Sequence, residues 1–175
     1  MENTKFVQDL QKQVHYFKVK QNFSGIVILC IGTNKLIGDS LGPIVGQKLT
    51  DRLRNYKNIT IYGNMKETLN FRNAKQVLEQ VITTWDNPFI IGIDSALGKA
   101  ELINEIVVGT GKIQLGNALG KNLKYPTHIH IKGVVGINRN SRQENMKVLE
   151  SIQDRDIHKI SENITQGVCK ILETV

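Results

Sequence analysis

The chain has 175 residues and a net charge of +7, enough for one compact domain with a core that needs neither disulfides nor metal to fold. Hydrophobic residues make up 40% and charged residues 22%, close to an average soluble protein. Its lysines are scattered and aromatic residues are only 6%, with no aromatic-basic motif for stacking bases, so nucleic acid is not expected as a partner.

The start, "MENTKFVQDLQKQVHYF", lacks the basic-then-apolar pattern of a signal peptide. Phe6, Leu10, Val14 and Phe17 instead fall at intervals of four, four and three, which predicts an amphipathic helix over about 4–18. "GIVILCIG" (25–32) is a β-branched run with glycine at both ends, the pattern of a strand buried on both faces. At eight residues it is too short to cross a bilayer of about 30 Å as a helix. No membrane contact is expected, and the compartment is expected to be cytoplasmic. Cys30 and Cys169 lie in apolar runs and read as buried free thiols of a reducing compartment.

Pro43 suits the first turn of a helix whose inner face carries Val45, Leu49 and Leu53. "NITIYG" (58–63) is a second short strand, "RNAKQVLEQVITTW" (72–85) a helix stopped by Asn87-Pro88, and "FIIGID" (89–94) a third buried strand. "ELINEIVVGTGKIQLG" (101–116) predicts a hairpin turning at Gly109-Thr110-Gly111. A further strand at 127–136 and helices over about 142–173 close the chain. This order predicts a single α/β domain over 1–175, with a mostly parallel sheet, helices on both faces and an antiparallel addition.

The chemistry concentrates in "CIGTNKLIGDSLGP" (30–43), where Gly32, Gly38 and Gly42 surround one carboxylate, Asp39. Ligand crevices of open parallel sheets lie beyond the carboxyl ends of the strands, where strand order reverses. In the order 2-1-3, strands one and three are neighbours, about 4.8 Å apart. Asp39, after the first, and Asp94, ending the third, then overlook one crevice. Paired carboxyls push one pKa upward, so that one holds a proton while the other acts as base, which suits activating water against an amide or ester. The same pair could hold a divalent metal, usually with a third ligand, although the hydrolytic reading requires no cofactor. The bland alternative is that each aspartate caps its own loop or helix.

Other signals are weaker. "GTNKLIGDS" lacks the Lys-Ser/Thr of a phosphate loop, and "GTGKIQLG" lacks dinucleotide-loop spacing. His128 and His130 alternate on one strand face, usually solvated but able to hold a metal. Cys30 ends an apolar strand, where a cysteine is more often core than nucleophile.

Gly38-Asp39-Ser40-Leu41-Gly42-Pro43 and Ile93-Asp94-Ser95-Ala96-Leu97 make the chain resemble the sporulation protein YyaC family and, more distantly, spore germination protease. The likeness spans about residues 25–136. It implies a three-layer α/β/α sandwich similar to hydrogenase-maturation endopeptidases, with Asp39 and Asp94 at the positions associated with peptide cleavage. Two departures stand out: "LGNALGK" (115–121) replaces a "PGSGVGN"-like loop, and Asn70 falls where related chains carry a histidine. The resulting expectation is a sporulation-associated, aspartate-dependent peptidase acting on a protein or peptide substrate of a spore-forming cell. Asp39 and Asp94 are its catalytic candidates, and Gly32, Thr33, Asn34, Ser40 and Ser95 its substrate-binding ones. Backbone N–H groups from Gly32 to Asn34 would hold the developing oxyanion. A homo-oligomer is compatible with the sequence. The rival is a non-catalytic protein that binds a peptide, nucleotide or metal in the same crevice.

Overall fold

A computed structural model describes residues 4–115 and 123–173. Its centre is a five-stranded sheet in the order β2-β1-β3-β7-β4. β1 (Gly25–Cys30), β2 (Ile59–Tyr62), β3 (Pro88–Gly98) and β7 (Ile129–Ile137) run parallel, and β4 (Ile106–Thr110) joins β7 antiparallel. β1 is flanked on both sides, and all six of its residues are buried. That explains an uninterrupted apolar run where a half-exposed strand would alternate.

The expected strand order 2-1-3 is present. From β1 the chain crosses through α2 (Leu41–Leu53) to β2, then returns through α3 (Ala74–Thr84) to β3 on the other side of β1. Right-handed crossovers in opposite directions put the two helices on opposite faces. α1 (Thr4–Lys20), α2 and α5 (Asp154–Leu172) cover one face, where Phe6, Leu10, Leu49, Ile164 and Val168 meet Ile28, Ile91 and Ile131. The other face holds α3 against Val27, Leu29 and Ile90, together with a ribbon of β5 (Ile113–Leu115) and β6 (Leu123–Tyr125). α4 (Arg142–Ser151) begins at Ser141, whose hydroxyl accepts the Glu144 N–H, a side-chain N-cap.

Two expectations need correction. The 101–116 segment does not fold back on itself: β4 pairs with β7, and β5 pairs with β6. The β7 edge outcompeted the local turn signal. Strand three does not end at Asp94; it continues to Gly98 alongside β7. The 116–121 part of "LGNALGK" lies outside the described residues. No helix among the described residues is long and apolar enough to cross a membrane.

Candidate functional site

β1 stops at Cys30, in register with Ile93, while β3 and β7 run on. Asp94 is therefore the first β3 residue to lose a full strand neighbour on the β1 side, and the loop after β1 brings the charge of Asp39 to bear on it there. The chain leaving β1 turns at Gly32, whose φ of +144° strains any L side chain. A Cβ there would also lie 2.1 Å from the Asp39 carbonyl oxygen. One helix start later, a Cβ on Gly42 would lie 2.0 Å from the Ile31 carbonyl oxygen. The glycines thus let the first turn of α2 press against the end of β1, which folds residues 33–39 back over the strand end.

This loop fixes Asp39 from behind. The Thr33 N–H donates to Asp39 Oδ2 at 2.9 Å and to the Asp39 carbonyl at 3.0 Å. Asp39 caps no helix, since the residue before α2 is Ser40, and Ser40 itself makes no side-chain cap. Asp94 is buried, and its Oδ1 accepts the Ser95 N–H at 2.8 Å. Burial pushes the Asp39 carboxyl up to about 6 against the pull of its Thr33 hydrogen bonds. Burial pushes Asp94 well above the ordinary carboxylate range, and the charge of Asp39 pushes it further; the Ser95 N–H and the positive charge of Lys132 pull the other way. Two carboxyls that feel each other's charge cannot readily both ionise.

Lys132 is a group the sequence reading missed. It pairs in register with Asp94 on β7, so both side chains leave the sheet on the same face. "HIHIKG" holds the signal, but only the pairing of β3 with β7 reveals which carboxylate the lysine meets.

The remaining candidates are placed as follows. Thr33 contributes its N–H to Asp39, and its hydroxyl accepts the Lys35 N–H at 3.4 Å. Asn34 Nδ2 donates to the Met65 carbonyl, tying the loop to the segment after β2. The Ser40 hydroxyl is buried and donates to the Ile37 carbonyl. Ser95 reaches Asp94 through its backbone, because its side chain leaves β3 on the opposite face. The expected oxyanion donors are mostly spent within the protein: the Gly32 N–H bonds the Leu69 carbonyl and the Thr33 N–H bonds Asp39. Asn34 is the one of the three whose N–H has no acceptor among the described residues.

The two strand histidines do not share a face. His128 precedes β7, accepts the Ile90 N–H through Nδ1 at 3.0 Å, and sits among Phe17, Phe23 and Phe89. The His130 ring instead occupies the space left by Gly109. Asn70 joins no site either; its amide bonds the Arg72 N–H and the Thr68 hydroxyl. Cys30 is fully buried on the face opposite Asp94, where burial raises its thiol pKa. Among the described residues, no three His, Cys, Asp or Glu side chains cluster as a metal site. A divalent ion held by Asp39 and Asp94 would draw its other ligands from water, backbone or substrate.

The fold and this pair together define an α/β/α protein with a mostly parallel sheet, a half-buried carboxyl in the loop after β1 and a buried one within the neighbouring β3. The chain belongs to the family described as "Protein of unknown function (DUF1256)", whose pattern it matches over residues 1–167. It is 32% identical over 112 residues to "Uncharacterized protein YyaC" of Bacillus subtilis (strain 168), an alignment covering 64% of this chain and 54% of that protein. The chain thus matches about half the length of this relative. Among solved structures it is similar to the NiFe hydrogenase maturation protease HycI from Thermococcus kodakarensis KOD1, with a TM-score of 0.57 and 17% identity. That likeness covers 89% of this chain and 97% of the other, and it establishes the shared fold.

Proposed function

We propose that the protein is a hydrolase that cleaves a peptide bond with a water molecule activated between Asp39 and Asp94. The observation carrying this reading is the pair of raised carboxyls: Asp39 at about 6, and Asp94 held well above the ordinary carboxylate range by burial and by the charge of Asp39. The mechanism takes Asp39 as the ionised member of the pair and the more deeply buried Asp94 as the one that holds a proton. Asp39 then takes a proton from water as the oxygen attacks the substrate carbonyl. Asp94 donates a hydrogen bond to the carbonyl oxygen as charge develops there, and the Asn34 N–H, which has no acceptor among the described residues, adds a second. On collapse of the tetrahedral species, the proton held by Asp39 passes to the departing amine. Resemblance to germination protease and to a maturation protease supports a protein or peptide substrate, in this case one of a spore-forming cell.

The test is incubation of the full chain with a peptide pool made by digesting extract of sporulating cells, with new termini identified by mass spectrometry. The expected result is a defined set of cleavages that Asp39→Asn and Asp94→Asn each reduce at least about 100-fold. Cleavage unchanged in both variants, or none by the wild type, overturns the hydrolytic reading. Saturable peptide binding without products would then assign the crevice to binding alone.

A further inference from the structure

β2 is an edge strand, hydrogen-bonded to β1 on one side only. The Asn58 carbonyl accepts the Ile26 N–H. By the alternation of a strand, Asn58, Thr60 and Tyr62 therefore aim their main-chain groups at β1, and Ile59 and Ile61 aim theirs outward. The Ile59 N–H is spent on the Tyr56 carbonyl. The Ile59 carbonyl and both main-chain groups of Ile61 have no partner among the described residues. Natural edges are usually blunted by a lysine, a proline or a bulge. "ITIY" carries none of these.

A cavity of about 400 Å³ lies beside this edge, lined by Ile61, Tyr62, Thr68 and Asn73 and walled by Gln76 and Gln80 of α3. Those two glutamines are exposed, stand one helical turn apart, and have side-chain amides without partners among the described residues. An amide both donates and accepts, as a peptide backbone requires. The groove also connects to the crevice. Leu69 continues the β2 row next to Ile31 and accepts the Gly32 N–H, and the Met65 carbonyl accepts Asn34 Nδ2. Its floor is thus bonded to the loop that carries Asp39.

We propose that the outer edge of β2 and this groove bind an extended peptide by strand addition. Resting on the hydrolytic reading above, the occupant is the flank of the substrate itself. A segment added outside β2 lies three strand spacings from β3, about 14 Å. At ~3.3 Å per extended residue, the docked segment sits about four residues from the bond that reaches the aspartates. Main-chain pairing accepts many sequences, with selectivity left to alternate side chains. A chain of fewer than about five residues cannot occupy both places.

The experiment uses the full chain carrying Asp39→Asn and Asp94→Asn, so that nothing is consumed. The probes are pools of acetylated, amidated random decapeptides and, for comparison, tripeptides. Decapeptides are expected to shift the Ile61 amide resonance and slow its hydrogen exchange, and tripeptides to leave it unchanged. Ile61→Pro removes an outward N–H that an edge can spare and weakens decapeptide binding about five- to tenfold. Gln76→Trp, on an exposed helix position, fills the groove and weakens binding without touching the sheet. An Ile61 amide that no peptide perturbs, or equal binding by both variants, overturns the proposal. So does protection of Ile61 that depends on protein concentration alone, which would assign the edge to a second copy of the chain. Docking at Ile61 alongside a wild-type protein that cleaves nothing removes the hydrolytic reading only. Cleavage with Ile61 unperturbed removes the docking reading only.

Discussion

Asp39, in the loop after β1, and Asp94, on the neighbouring β3, are the same residue type, yet their surroundings divide the work between them. Asp39 is half-buried, and its Oδ2 accepts the Thr33 N–H, which favours its charge. Asp94 is buried within β3, with one local N–H and the more distant Lys132 to oppose desolvation and the charge of Asp39. The mechanism needs Asp39 ionised and Asp94 protonated. Activity should therefore rise as pH passes through about 6 and fall again as Asp94 loses its proton at a higher pH. Lys132→Met removes a charge that favours ionised Asp94, so the falling limb should move to higher pH while the rising limb stays near its place. The pH dependence of kcat/KM measures both limbs. Carbon-13 titration of the two carboxyls gives the same values without relying on turnover. A falling limb that moves down in Lys132→Met would contradict this assignment.

The elements that place these carboxyls depend on close backbone approach, and Gly42 tests that dependence. Its Cβ would lie 2.0 Å from the Ile31 carbonyl oxygen, a backbone atom that no rotamer change can move. Gly42→Ala must push α2 away from β1, at a cost of about 2–4 kcal/mol, and should lower the urea midpoint accordingly. Gly111→Ala is the contrast: nothing lies within 4 Å of its Cβ, so only its φ of +86° is penalised, about 1 kcal/mol. Crowded glycines were legible in the sequence because three glycines around one carboxylate exceed what a turn requires. The strand order and the approach of Asp39 to Asp94 were legible too, since apolar runs, crossover helices and strand ends are local signals joined by one topological rule. The pairing of β4 with β7, the extension of β3 past Asp94 and the separation of His128 from His130 were not. Each depends on which distant edge a strand meets, and turn residues such as Gly109-Thr110-Gly111 carry no record of it. Lys132 was missed for the same reason, as its meaning lies in its register with Asp94.

At the scale of the whole molecule, the buried carboxyls and a surface ion network pull stability in opposite directions with pH. Asp39 is raised from 3.8 to about 6 in the folded state, so folded protein binds its proton more tightly than unfolded chain does. Its favourable contribution is complete below about 4 and fades as pH rises through 6. Asp94 has the same sign, since burial and the charge of Asp39 raise it well above its ordinary value. Glu162 is opposite: hydrogen bonds from Lys48 and Arg52, which join α5 to α2, hold it at about 2 against an ordinary 4.5. Its contribution is present above about 4.5 and is lost as pH falls toward 2. For these groups, stability should therefore peak at about pH 4, where Glu162 has gained most of its charge and the two aspartates still hold their protons, and decline above about 4.5. Asp94→Asn keeps the shape of the side chain without a charge to bury, so it should stabilise the protein at pH 8 by about 1–3 kcal/mol and flatten the decline above pH 6. Glu162→Gln, on a partly exposed and solvent-screened pair, should cost at most about 1 kcal/mol at pH 7 and nothing at pH 2. Urea unfolding across this range separates the two effects, because the variants act on opposite flanks of one curve. An Asp94→Asn protein that is less stable than wild type at pH 8 would mean that the ionised carboxylate has a compensating partner. The unequal pair would then be a structural contact, and the division of labour between base and acid would lose its basis.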